Sequence, residues 1–295
     1  MGPFGEIYCL VKKSELDHHR ATPERADRLL KLSRAKQAAI ADSAQNQADF
    51  MRSLAGLDQK LGLKIRYIKE EQINQFTPQA NDLVLSAGGD GTFLSCAQHF
   101  GHATLLGLNS DYKPRAGLGS YGALTMVNRT NLEERLTQLV EGHWQEDRWN
   151  RLQASVNGIP IPRFAVNDIY YGMQIAYRTC DIIVTQGGQS QDFNCSGLLC
   201  CTGMGSHAWY SNAGGSPFSN ELDAFGFRVL FPNLKRPLKF MGGVISKRHE
   251  LLITPEREGY VLSFDSGTDV IYTEMGDQIS IFIDETKALR LISFD

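Results

Sequence analysis

The chain has no apolar run approaching the roughly 18–20 residues that a membrane span needs, so no membrane partner is expected. It has no excess of positive charge. Thirty Lys and Arg stand against 33 Asp and Glu, a net charge of −3, which argues against nucleic acid as its main partner. Met1 to Leu10 lack a basic n-region and a hydrophobic core, so no signal peptide is expected. No Arg-rich transit segment opens the chain either. The expected location is the cytoplasm; the mitochondrial matrix is compatible if a transit peptide has been removed. The six cysteines (Cys9, Cys96, Cys180, Cys195, Cys200, Cys201) sit in apolar surroundings and are expected reduced and mostly buried. Cys195-x4-Cys200-Cys201 lacks the spacing of a zinc knuckle, and no metal ligands are assigned. Internal repeats and low-complexity segments are absent from the sequence as well. What remains, 295 residues of which 42% are hydrophobic and 21% charged, suits one large or two ordinary globular domains.

The most informative stretch is Ala87-Gly88-Gly89-Asp90-Gly91-Thr92, entered from the apolar run Leu83-Val84-Leu85. Paired glycines that stop an apolar run, followed by Thr92-Phe93-Leu94, predict strand, tight turn and helix. Such a turn lets backbone approach a ligand closely, and the helix start offers N–H groups to an anion. No Gly-Lys-Ser/Thr follows, so the loop is not a Walker A motif. Asp90 is the anomaly. A carboxylate where a phosphate should sit repels it, unless the carboxylate binds a metal or takes a proton during a reaction.

Ile7–Val11, Lys64–Ile68, Leu83–Ala87 and Thr104–Leu108 are predicted strands. Thr22-Pro23-Glu24 opens a helix, with Thr22 as N-cap and Pro23 at the first helical position. From there to about Lys60 a thin apolar stripe predicts one long or once-broken helix. Thr92–Phe100 and Asn131–Glu141 are further helices. This β-α-β-α order implies a parallel sheet with right-handed crossovers. Ligands then bind beyond the carboxyl ends of the strands, where Gly88–Thr92 and Asn109–Asp111 fall. The two turns are expected side by side.

After Gly142-His143 the texture changes to short strand-like runs separated by Gly, Pro and Asn, so the second half is expected to be mainly β. Gln186–Gln191 is expected as a hairpin loop. Asn167-Asp168, inside an apolar stretch, can hold a sugar diol or an adenine edge, although an Asx turn explains the dipeptide equally well. Leu198–Cys201 runs into Thr202-Gly203-Met204-Gly205-Ser206-His207-Ala208-Trp209. This is a second glycine-rich strand-to-helix turn, whose N–H groups could meet another phosphate or an amide ligand. Two such turns on two domains suit an interdomain cleft for an elongated, phosphate-bearing ligand.

These four motifs, in this order, resemble those of the NAD kinases: Gly88-Gly89-Asp90-Gly91-Thr92, Gly107-Leu108-Asn109-Ser110-Asp111, Asn167-Asp168, and Thr202 to Trp209. The first is shared with phosphofructokinases and diacylglycerol-type lipid kinases; the set is not. Gly-Ser-x-Ala-Trp, Asn109-Ser110-Asp111, Arg178, Arg236-Pro237, Ser266-Gly267-Thr268 and Gly276-Asp277 look closest to the mitochondrial-type branch. The resemblance implies an α/β fold, with a Rossmann-like parallel-sheet domain over 1–143 and a β-rich NAD-binding domain over 144–283. Residues 284–295 would return to the first domain, and the active site would lie in the interdomain cleft. It implies phosphorylation of the adenosine ribose 2′-hydroxyl of NAD by ATP with Mg²⁺, in a homodimer or homotetramer.

Carried over residue by residue, Asp90 is the catalytic base. Asn167 and Asp168 hold the NAD ribose and adenine, while Met204, His207, Ala208 and Trp209 line the adenine and nicotinamide pockets. Gly88, Gly89, Gly91, Thr92, Asn109, Arg178, Ser196 and Asn212 complete the expected binding set. The chain departs from the family in places. It has Asn167-Asp168 where Asn-Glu is frequent, Ser196 where Asp is frequent, and His207 and Trp209 where Thr and Tyr are common. The alternatives are a related kinase of a lipid or sugar hydroxyl, and an NAD(P)-binding protein without turnover.

Overall fold

The computed structural model describes residues 3–112, 122–175, 178–235 and 237–294. Arg236 and most of the segment between Asn109 and Gly122 lie outside these residues. The chain divides into two units: residues 1–148 with 289–295, and residues 149–288.

The first unit contains β1 (Ile7–Val11), α1 (Glu15–Arg20), α2 (Pro23–Leu30), α3 (Arg34–Leu61), β2 (Arg66–Lys69) and β3 (Leu83–Gly88). It continues with α4 (Asp90–Phe100), β4 (Thr104–Asn109), β5 (Val127–Asn128), α5 (Leu132–Glu141) and β6 (Gln145–Trp149). The second unit contains β7 (Leu152–Val156), β8 (Ile159–Ala165), β9 (Asp168–Met173), β10 (Cys180–Gln186), β11 (Gln189–Cys195) and β12 (Gly197–Cys201). After α6 (Trp209–Asn212) come β13 (Ala224–Leu230), β14 (Gly242–Ser246), β15 (Leu251–Pro255), β16 (Tyr260–Phe264), β17 (Ile271–Thr273) and β18 (Ile279–Ile283). The last strand, β19 (Leu289–Ser293), belongs to the first unit.

In the first unit the strand order is β2-β1-β3-β4-β19-β6, with β5 beside β4. The pairs β1–β2, β1–β3, β3–β4, β4–β5 and β4–β19 are parallel, as the β-α-β-α order predicts. β3 and β4 are buried at every position, the continuous apolar reading of a strand covered on both faces. Phe50 and Leu54 of α3 and Leu132, Leu136 and Leu139 of α5 pack into the same core as Leu83, Leu85 and Leu108.

The predicted long helix is broken once. Thr22 caps α2, accepting a hydrogen bond from Arg25 N–H with Pro23 in the first turn, and Ser33 recaps α3, accepting from Lys36 N–H. α3 ends at Gly62, whose φ of +68° is the left-handed conformation that glycine accepts without penalty.

The second unit is a two-sheet β structure. One sheet has the order β11-β10-β15-β18-β7-β8, the other β14-β13-β12-β9-β16-β17. Neighbouring strands within both sheets are antiparallel, and both sheets contribute to one core that includes Ala154, Ile182, Ile253, Tyr171, Leu198 and Phe227. The β10–β11 hairpin turns on Gly187-Gly188 alone, so the expected loop is shorter and strand extends through Gln189–Cys195. All six cysteines are free and buried, and no helix among the described residues is long and apolar enough to cross a membrane.

Candidate active site

The glycine loop is where the parallel sheet delivers it. β3 ends at Gly88, Gly89 caps α4, and Asp90 is the first residue of that helix. The Gly89 carbonyl accepts from Thr92 N–H at 3.0 Å and Phe93 N–H at 3.1 Å, which closes the first turn. Gly88 has a steric reason. A Cβ built there would lie 2.1 Å from the Thr92 Oγ1, so the buried Thr92 side chain occupies the space that any other residue would need. Asp90 accepts from Leu124 N–H at 2.9 Å and Ala123 N–H at 3.3 Å. Two backbone donors therefore fix the orientation of the carboxylate at the helix start.

Gly88 and Asn109 are register partners at the carboxyl ends of β3 and β4, and Ser110 N–H donates to the Gly88 carbonyl at 3.2 Å. The two predicted turns are thus adjacent. The buried Asn109 accepts from Asp111 N–H through its Oδ1, at 3.2 Å. The Asp111 carboxylate in turn accepts from Ser43 Oγ and Asn46 Nδ2 of α3. Ser43, Asn46, Ala123 and Leu124 were missed by the sequence reading, because none belongs to a motif and each acts across the fold.

In the second unit Asp168 opens β9, the strand between β12 and β16, and Asn167 immediately precedes it. Asp168 is the register partner of Cys201, so the Thr202–Trp209 segment leaves β12 beside Asn167. Thr202 N–H donates to the Asn167 carbonyl at 3.0 Å, and Thr202 Oγ1 donates to the Val166 carbonyl. Gly205 lies so close that a Cβ there would be 1.9 Å from the Asn167 carbonyl oxygen.

The second turn differs from its sequence reading in one respect. It forms only the 3₁₀ turn Gly205–His207 and the four-residue α6. Gly205 N–H donates to Thr202 Oγ1 and Ser206 N–H to the Thr202 carbonyl, so these N–H groups are partnered within the turn rather than offered to a phosphate. The serine and threonine side chains, which compete for local backbone groups, stop the helix from lengthening.

Trp209, 39% exposed, stacks on Tyr170 with ring centroids 5.6 Å apart. The Tyr170 hydroxyl is 2.9 Å from the Ser196 carbonyl, so one ring bridges two predicted site residues. Tyr170 was also missed. Its signal is its place two residues after Asp168, on the same face of β9. His207, Arg178 and Asn212 are exposed, and Met204 and Ala208 are half-buried. Two cavities, of about 530 Å³ beside Phe4, Leu61 and Lys64 and about 460 Å³ beside Asp192, Asn233 and Lys235, contain none of the motif residues.

Asp168 is 3% exposed, and its Oδ1 is buried without a hydrogen-bond partner. Burial, and then the nearby Asp265 carboxylate, raise its pKa to about 7 from an ordinary 3.8. Between those values the folded chain keeps a proton that the unfolded chain has released. Folding stability therefore falls as pH rises from about 4 to about 7, by on the order of 4 kcal/mol at about 1.4 kcal/mol per pH unit. Asp168→Asn removes this term. In urea unfolding its stability relative to wild type is expected to rise between pH 5 and pH 8 by on the order of 2 kcal/mol or more. Parallel pH profiles for the two proteins would contradict the assignment.

Residues 166–293 match the ATP-NAD kinase C-terminal domain family. The chain is 29% identical over 234 residues to a probable NADH kinase of Oryza sativa subsp. japonica, covering 69% of this chain and 68% of that protein. It is 31% identical over 189 residues to an NAD kinase of Corynebacterium diphtheriae, covering 60% of this chain and 56% of that protein. The fold is similar to the crystal structure of an NAD kinase from Archaeoglobus fulgidus in complex with ATP, at a TM-score of 0.65 and 19% identity over 98% of this chain and 93% of that one.

Proposed function

We propose that this chain is a member of the NAD kinase family and that it phosphorylates the 2′-hydroxyl of the adenosine ribose of NAD with ATP to give NADP. The observation that carries the proposal is the Asp90 carboxylate, set at the start of α4 in a glycine loop and held by the Ala123 and Leu124 amides.

Asp90 is the general base. It takes the proton of the 2′-hydroxyl as the ribose oxygen bonds to the γ-phosphorus and the bond from that phosphorus to the β–γ bridging oxygen breaks, releasing ADP. Phosphoryl transfer is mostly positioning and charge neutralisation, so this arrangement asks little covalent chemistry of the protein. Mg²⁺ enters with ATP as part of the donor substrate. Among the described residues no three His, Cys, Asp or Glu side chains come together as a metal site of their own.

Gly88, Gly89, Gly91, Thr92 and Asn109 form the backbone cradle of the glycine loop and its neighbour. Asn167 and Asp168 hold the dinucleotide's ribose and adenine. Met204, His207, Ala208 and Trp209 line its base pockets, while Arg178, Ser196 and Asn212 complete the binding set. The partly exposed Trp209 ring and the half-buried Asn167 support this reading. Binding without chemistry is the role assigned to His207. His207→Ala is therefore expected to raise KM for NAD several-fold with little change in kcat; the reverse split would place His207 in the chemistry.

The proposed assembly is a homodimer or homotetramer in the cytoplasm. The exposed Phe231, Leu234 and Val244 offer apolar surface for self-association, which light scattering on the purified protein reads directly. The function itself is tested by coupling the reaction to an NADP-specific dehydrogenase, with NAD or NADH as acceptor and ATP with Mg²⁺ as donor. Product formation supports the proposal. No product from either acceptor overturns it.

A further inference from the structure

We infer that Asp265 is a positioning residue for the dinucleotide site, its carboxylate clamping the backbone that presents Asn167 and Asp168. The inference rests on the reading that those two side chains hold NAD.

Asp265 lies 97 residues beyond Asp168 in sequence, yet its side chain takes up every backbone donor of the turn. Its Oδ2 accepts from Val166 N–H at 2.9 Å, and its Oδ1 accepts from Asn167 N–H at 2.7 Å and Asp168 N–H at 3.2 Å. Its own N–H donates to the Asp168 carbonyl at 2.8 Å. Thr202 satisfies the Val166 and Asn167 carbonyls from the other side. Residues 166–168 thus have all their backbone polar groups paired. Among the described residues the Asp168 Oδ1 is buried and unpaired. A buried polar atom left unmatched costs free energy, and a ligand hydroxyl or amine can match it.

The local backbone points the same way. Asp265 and Ser266 have φ of +50° and +56°, and Gly267 N–H donates to the Phe264 carbonyl at 2.9 Å. This is a turn with two left-handed residues, a conformation that favours Asn-Gly. Neither residue is glycine. Such strain persists where surrounding structure over-determines it, and it clusters at binding sites. The turn closes β16, whose Phe264 is the register partner of Ile169, so it sits beside the start of β9. A serine or glycine at 265 would make an easier turn or an equal one, but no carboxylate would reach three amides.

The Asp265 carboxylate acts electrostatically on Asp168, Asp168 acts on the thiols of Cys200 and Cys201 on β12, and Arg151 and Asp265 interact. Burial raises both thiols, which leaves Asp265 as the charge that bears on Asp168.

The test is Asp265→Asn. Asparagine tolerates the left-handed conformation, but it offers one acceptor oxygen and turns an NH₂ toward a backbone N–H. The Kd for NAD by calorimetry and the KM for NAD are expected to rise about tenfold or more, with kcat and KM for ATP within about threefold. The pH at which NAD affinity changes, near 7 in wild type through Asp168, is expected to move down once the Asp265 charge is gone. A folded variant with unchanged Kd and an unmoved pH break overturns the inference. Should the variant not fold, hydrogen exchange of the wild-type peptide spanning 164–170 decides. Slow exchange at Val166, Asn167 and Asp168 supports the clamp, and rapid exchange refutes it. Failure of the kinase reading appears separately, as a wild type that makes no NADP, while the NAD-binding arms still test Asp265.

Discussion

Asp90→Asn is expected to lower turnover by roughly 10²–10⁴-fold, the usual worth of a positioned base, while leaving NAD affinity within about threefold of wild type. The asymmetry follows from where Asp90 sits. Its carboxylate is tied to the Leu124 and Ala123 amides at the start of α4, and the substitution preserves its shape and one acceptor oxygen. What it loses is the capacity to take a proton. In barrier terms this is about 3–5 kcal/mol. Steady-state kinetics beside calorimetric NAD binding measure both halves. Wild-type turnover in the variant would remove Asp90 from the chemistry, and lost NAD binding would make it a structural residue instead.

Gly205→Ala is expected to have the second largest effect. Its Cβ would lie 1.9 Å from the Asn167 carbonyl oxygen and 2.4 Å from the carbonyl carbon, a collision of backbone with side chain that no rotamer relieves. Overpacking of this kind costs about 1–3 kcal/mol, and the part that gives way is the Asn167–Asp168 turn itself. KM for NAD should rise about tenfold or more and the melting temperature should fall by several degrees. Gly56→Ala is the control. It lies inside α3 with nothing within 4 Å of a Cβ, so it should be neutral or stabilising by about 0.5–1 kcal/mol. If both variants behave alike, the close approach of Gly205 does not position Asn167.

The parts of this account that were legible in the sequence are those written in local chemistry. An apolar run stopped by Gly88-Gly89 can hardly be anything but a strand entering a tight turn, and Thr22-Pro23-Glu24 announces a helix start that the structure keeps. The break at Lys31–Ser33 was less visible, because neither glycine nor proline marks it; the recapping Ser33 is its only trace. α1 was not predicted at all, being a single six-residue piece with no buried side chain to print a periodicity. The second glycine-rich turn was legible as a turn but not as a 3₁₀ turn, since its outcome depends on which backbone groups Thr202 and Ser206 capture.

Least legible were the residues that act at a distance. Ala123 and Leu124 on Asp90, Ser43 and Asn46 on Asp111, and Asp265 on the Asn167–Asp168 turn belong to no motif. Their sequence separations from their partners reach 97–99 residues for Asp265, so only folded geometry pairs them. A carboxylate that accepts three backbone hydrogen bonds looks, in one dimension, like any aspartate after a strand.

The proposed reaction sends the phosphoryl group to one particular oxygen. The most direct measurement is to incubate the purified protein with NAD, ATP and Mg²⁺ and to locate the phosphate on the dinucleotide product by ³¹P and ¹H NMR. The expected product is NAD carrying one additional phosphate, on the 2′-oxygen of the adenosine ribose, with stoichiometric ADP. A phosphate on any other hydroxyl, or ADP released with the dinucleotide unchanged, would contradict it.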